Sequence, residues 1–188
     1  MANQKLDIVR KIIWSFGIIA GVVCGGMFYL DIPEPGESMN FEDGHLWGYL
    51  AMIIALSTIF FAVWQYRRTE GGGDVKFKKS FFIGLYITLI ASGIYMVGWE
   101  VYYNLYASDF PAQYVEFQRS QLEEQGKSPE EIEAVLEPQR ENMELYADNT
   151  LFRLAMTFLE IFPVGLLISL VVAVIFGVVL RRNSVSVS

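Results

Sequence analysis

A single histidine, His45, and a single cysteine, Cys24, are all this chain has of the two residue types most used for metal ligation and nucleophilic catalysis. One histidine argues against a His-based triad or a multi-His metal site built within one chain, and one cysteine excludes an internal disulfide. Cys24 lies in an apolar run, where a thiol is normally an inert packing residue, and the bulky Val23 before it does not suit a lipoprotein site. Charged residues are few, at 19 %, and the net charge of -7 has the wrong sign for nucleic acid, so no nucleic-acid partner is expected. A phosphate-cradling loop is absent too: Gly71-Gly72-Gly73 stands upstream of Lys79-Ser80, but no glycine directly precedes Lys79. The sequence thus predicts no catalytic residue, no metal and no cofactor.

Long hydrophobic runs are what the chain does have. A hydrocarbon core of roughly 30 Å needs about 20 apolar residues in a helix rising about 1.5 Å per residue. Segments 12–30, 46–66, 81–106 and 154–180 meet that need. Backbone groups in lipid must be satisfied within the segment or in a closed barrel, and these runs are continuous rather than alternating. The expected fold is therefore all-α: a four-helix transmembrane bundle in a single membrane domain spanning residues 1–188, with the lipid bilayer as its first partner. No small-x-small cleavage site follows the first run, so it is expected to be a retained span rather than a signal peptide.

Basic residues fall on one side of these spans. Lys5, Arg10 and Lys11 precede the first, Arg67, Arg68, Lys76, Lys78 and Lys79 lie in the loop 67–80, and Arg181 and Arg182 follow the fourth. The positive-inside bias makes that side, and both termini, cytoplasmic. Lys76, Lys78 and Lys79 around Phe77 are expected to contact anionic lipid. Interfacial aromatics agree with this orientation, with Trp14, Trp64 and Tyr66 at the inner level and Tyr29, Trp47, Tyr49, Trp99, Tyr102, Tyr103 and Tyr106 at the outer one.

The segment 107–150 reads as an extracytoplasmic helical hairpin. Gly126 is a natural stop, and Ser128-Pro129-Glu130-Glu131 has the form of a capping box with proline in the first turn. Pro138 is expected to kink or shorten the second helix. Within the bilayer, Gly17, Gly21 and Gly25 form a small-residue face on the first span, and Ser80, Gly84, Thr88 and Ser92 form one on the third. Contact between these two helices is one reading; an external subunit in the glycine groove is the other.

Ionisable residues inside spans are costly and so tend to be paired or functional. Counting from Phe81 and from Leu180 places Glu100 and Glu160 at one level, about 30 Å up, near the far edge of the hydrocarbon. Arg153 and His45 can approach that level, which defines a candidate polar cluster of His45, Glu100, Arg153 and Glu160. Pro163 should kink the fourth helix beside Glu160. The cluster either fixes helix register or carries a proton or cation on a partly desolvated carboxylate; nearness to water favours the first.

The block Gly71-Gly72-Gly73-Asp74-Val75-Lys76-Phe77-Lys78-Lys79-Ser80-Phe81, continuing through Gly84 to Tyr95, resembles domain-of-unknown-function family 4199. Gly126-Lys127-Ser128-Pro129-Glu130-Glu131-Ile132 and Pro163-Val164-Gly165-Leu166 are similar to that family as well. The resemblance implies a small bacterial four-span protein and brings no catalytic residue with it. The function expected is a non-catalytic accessory or scaffold subunit that binds another membrane protein or itself in the bacterial cytoplasmic (inner) membrane. The alternatives are a small proton-coupled transporter or ion-binding protein using Glu100 and Glu160, and an enzyme acting on a lipid-linked substrate.

Overall fold

The computed structural model describes residues 2–30, 32, 39 and 41–180; the side chains of residues 2–5, 42, 43 and 45 lie outside that description. The described residues contain helices and no strand. Helix α1 (Ala2–Gly26) ends in a 3-10 turn, Met27–Tyr29; α2 (Phe41–Leu56) and α3 (Thr58–Thr69) follow, then α4 (Phe77–Tyr106), α5 (Phe110–Glu124), α6 (Pro129–Asp148) and α7 (Thr150–Val174), which closes in a π turn, Ile175–Val179. Four stretches are long and apolar enough to cross a membrane: Leu6–Tyr29, Leu46–Thr69, Phe77–Tyr106 and Thr150–Val179.

Three details differ from the sequence reading. The first helix starts well before Ile12, because residues 2–11 contain neither proline nor glycine to stop it. The second span is interrupted at Ser57, where Ser57 Oγ donates to the carbonyl of Ile53 at 2.6 Å and Thr58 Oγ1 to that of Ala55 at 2.6 Å. Hydroxyls that take backbone carbonyls in this way loosen a helix locally. The third is proline: α6 runs on through Pro138 rather than being shortened there, and α7 likewise continues through Pro163, a continuity compatible with a kink at either residue.

Helix α4 packs along both α1 and α7, and the α2–α3 pair closes the bundle against α1 and α7. Glycine sets the α1–α4 distance: a Cβ added at Gly17 would lie 2.8 Å from Ile90 Cβ, and one at Gly21 2.7 Å from Ile94 Cβ. The groove of α1 is filled by the chain's own helix. The α4–α7 seam is as close, since a Cβ on Gly84 would stand 2.6 Å from Ser169 Oγ and one on Gly165 would collide with Thr88. Between these contacts Leu56, Ile59, Ile83, Ile87, Ile161 and Phe176 form a fully covered core. The remaining apolar surface, including Ile54, Phe61, Val97 and Leu167, faces outward, as it must where the solvent is lipid.

Beyond the spans, α5 and α6 pack against one another as a hairpin. Gly126 turns the chain at φ +72, a conformation other residues avoid, and Ser128 accepts from the Glu131 N–H while the Glu131 carboxylate accepts from Ser128 N. Hydrogen bonding from Ser128, its backbone N–H first, holds the Glu131 carboxyl below its usual value.

Candidate functional site

Asn149 joins two helices in one residue. It ends α6, and its side chain accepts from Phe152 N to begin α7, so Arg153 sits one turn into α7 beside the last carbonyls of α6. A cation at a helix N-terminus is disfavoured by the dipole, but one at a C-terminus is favoured. Arg153 resolves this by reaching back: Nη1 donates to the carbonyls of Tyr146 at 2.8 Å and Ala147 at 3.1 Å, two groups with no partner inside α6.

The other edge of the guanidinium meets α4. Nε donates to Glu100 Oε2 at 2.8 Å and Nη2 to Glu100 Oε1 at 2.6 Å, a parallel two-bond pairing, while Nη2 also donates to Thr150 Oγ1 at 3.2 Å. All five N–H donors are thereby used. The Arg153 side chain is 4 % exposed and that of Glu100 23 %. Tyr103 supplies its ring face 4.1 Å from the guanidinium carbon, and Asn104 Nδ2 donates to Glu100 Oε1 at 3.1 Å.

Aromatic packing surrounds this pair. Trp99 Nε1 donates to Tyr146 Oη at 2.6 Å, and Phe28 lies against Tyr95 and Trp99 with ring centroids 4.9 Å away in both cases. Burial pushes the Tyr146 phenol above its ordinary value, keeping it a neutral acceptor for Trp99. Phe110 packs on Trp99 at 5.3 Å, and Phe41 stacks on Phe117 at 5.3 Å, which ties the hairpin to α4 and to the start of α2.

Glu160 is placed elsewhere. Tyr95 Oη donates to its Oε2 at 3.1 Å, one to two turns along α4 from Glu100. The expectation that the two carboxylates share a level is corrected: Glu160 lies roughly 7–10 Å deeper, given about 1.5 Å per residue. Counting from the ends of the apolar runs fails because Gly177 abuts Phe77, so Leu180 lies beyond the start of α4 rather than level with Phe81. Glycine contacts set the register; run ends do not. Of the predicted cluster, Glu100 and Arg153 meet, Glu160 pairs with Tyr95, and the side chain of His45, in α2, lies outside the described residues.

Four polar participants, Tyr146, Thr150, Tyr95 and Asn104, went unnoticed in the sequence. Tyr146 and Thr150 lie in a stretch read as loop and hairpin, and Tyr95 in a helix read for its small residues. One signal could have found the first two: an arginine inside an apolar span needs acceptors for five donors, and the nearest backbone is the segment just before it. Among the described residues no three His, Cys, Asp or Glu side chains converge as a metal site.

Four helices of membrane-crossing length and composition, two of them joined by a covered ion pair, define a multi-pass helical membrane protein. The chain belongs to the family described as "Protein of unknown function (DUF4199)", which it matches over residues 15–177. No curated protein and no solved structure matches it.

Proposed function

We propose that this protein is a non-catalytic accessory or scaffold subunit of a complex in the bacterial cytoplasmic membrane, with both termini in the cytoplasm and the α5–α6 hairpin on the outer face. One observation carries the reading: Arg153, the most deeply buried charge described, uses every donor on architecture, tying α4 and α7 to the end of α6. A charge committed in this way holds the hairpin in fixed orientation above the bundle, which is what presenting a surface to a partner requires. Support from the glycine groove is withdrawn, since α4 occupies it. The test is affinity purification of the full chain in mild detergent from its native membrane. A partner recovered at fixed stoichiometry, and lost when Arg153 is replaced, supports the reading; a clean monomer overturns it.

The depth of Glu160 favours a second reading, a small proton-coupled transporter. Glu100 drops out of it, being paired with Arg153, and Glu160 with Tyr95 is left to carry the proton. Glu160→Gln should then abolish a pH-dependent flux in liposomes, and unchanged flux, or none in the wild type, counts against it. No observation favours an enzyme on a lipid-linked substrate.

A further inference from the structure

The end of the bundle where α3 stops and α4 begins is cationic, whereas the hairpin end is acidic. Arg67 and Arg68 close α3, and Lys76, Lys78 and Lys79 open α4. Since Gly17 faces Ile90 and Gly21 faces Ile94, α1 runs parallel to α4 and brings Arg10 and Lys11 to the same end. Asp7, Glu70 and Asp74 are the acids there among the described residues.

Three of these cations, Arg67, Arg68 and Lys79, are held rather than loose. Arg67 Nε donates to the carbonyl of Gly73 at 2.7 Å and Val75 is buried, so the connecting turn is fixed against the bundle. The Arg68 guanidinium lies 4.6 Å from the Trp64 ring centroid, and the Lys79 ammonium 5.5 Å from that of Tyr66. Trp and Tyr favour the headgroup level, so rings at the end of a span that carry cations on their faces set those cations level with lipid phosphates. The first turn of α4 holds no acid, and Lys76 at its cap makes no side-chain capping bond. Nothing in that turn offsets three lysines, which repel one another unless an anion lies against them.

We propose that this end is a docking surface for anionic phospholipid headgroups, with Arg68, Lys76, Lys78 and Lys79 as its principal contacts. The occupant follows from position and charge: the apolar spans end here, so headgroups are the anions within reach, and the patch is their complement in sign. Each basic residue near an anionic lipid surface strengthens the attraction about fivefold. The inference does not depend on which subunit, if any, the protein serves.

The full chain, in nanodiscs of equal phosphatidylcholine and phosphatidylglycerol, is re-extracted in mild detergent and its retained lipid identified by native mass spectrometry. Wild type should retain phosphatidylglycerol over phosphatidylcholine. The K76Q/K78Q/K79Q variant should lose that preference by about tenfold or more, while K76R/K78R/K79R, which keeps the charge, and K127Q, at the opposite end, should keep it. Salt near 1 M, where screening acts within about 3 Å, should erase it in the wild type. Equal retention of the two lipids, a preference unmoved by the glutamine variant or by salt, or displacement of the lipid by inorganic phosphate at tens of millimolar, which would assign the site to a soluble anion, each overturns the proposal. Should the glutamine variant aggregate, the salt series on the wild type decides.

Discussion

Two regions of this molecule pair guanidinium with carboxylate, and they do so in different solvents. In the α4–α7 seam Arg153 and Glu100 are largely covered, and the arginine's remaining donors are taken by backbone carbonyls and Thr150. On the hairpin, Glu133 bridges Arg119 at 2.7 Å and Arg140 at 2.8 Å, with the three side chains 27 to 50 % exposed. The bond lengths are alike; the consequences are not. Water competes for the hairpin network and salt screens it, whereas the seam pair has no substitute for its partner within the apolar layer.

The sharpest way to break this contrast is to remove one partner. Arg153→Met should destabilise the protein by about 3–5 kcal/mol, because Glu100 and two α6 carbonyls lose their partner together, and thermal unfolding in detergent reads it. Arg153→Met with Glu100→Leu should recover much of that loss, and a double variant no better than the single one would show that the pair does more than satisfy itself.

Packing tests the same seam without charge. Gly165→Val would drive a side chain into Thr88, where α4 and α7 already touch, and should cost about 1–3 kcal/mol in the same assay. On the hairpin, Ser128→Ala removes one half of the capping box and should cost about 1 kcal/mol, seen as faster amide exchange in the first turn of α6 with the spans unaffected. Next in size is Ser169→Ala, which removes the 2.7 Å bond its Oγ donates to the Gly165 carbonyl and a 3.4 Å contact with Thr88 Oγ1; membrane hydrogen bonds of this kind average about 0.6 kcal/mol.

Acid should produce the smallest effect. Bonds from Arg140 and Arg119 lower the Glu133 carboxyl from 4.5 to about 2. A depressed folded-state value means the stabilisation is full above pH 4.5 and is lost as pH falls through about 2. Hairpin amide exchange followed from pH 5 downward should therefore quicken only in that window, and it should not do so in Glu133→Gln; a transition near pH 6 would contradict the assignment.

How much was legible beforehand depends on the range of the interaction. The capping box at Ser128 and Glu131 was readable because both partners lie within one turn, and the spans because apolar length is a local property. Where α1 packs was half legible: glycine at every fourth position announces a close approach but is silent on whose backbone arrives. The break at Ser57 was hidden, since a serine in an apolar run is as often an unbroken helix. The level of Glu160 was misjudged for a related reason, because helix ends slide freely past one another in a sequence and are fixed only by contacts such as Gly177 on Phe77.

What the sequence determined alone was the solvent and the class: apolar runs of membrane length, with basic residues gathered between and beside them. What tertiary structure decided was partnership, namely that Arg153 serves Glu100 and the end of α6, and that Tyr95 rather than a second acid meets Glu160. The division has a physical cause. Transfer of a side chain into lipid is a sum over neighbouring residues and survives being read one segment at a time, whereas an ion pair across two helices depends on their relative register, which no single segment contains.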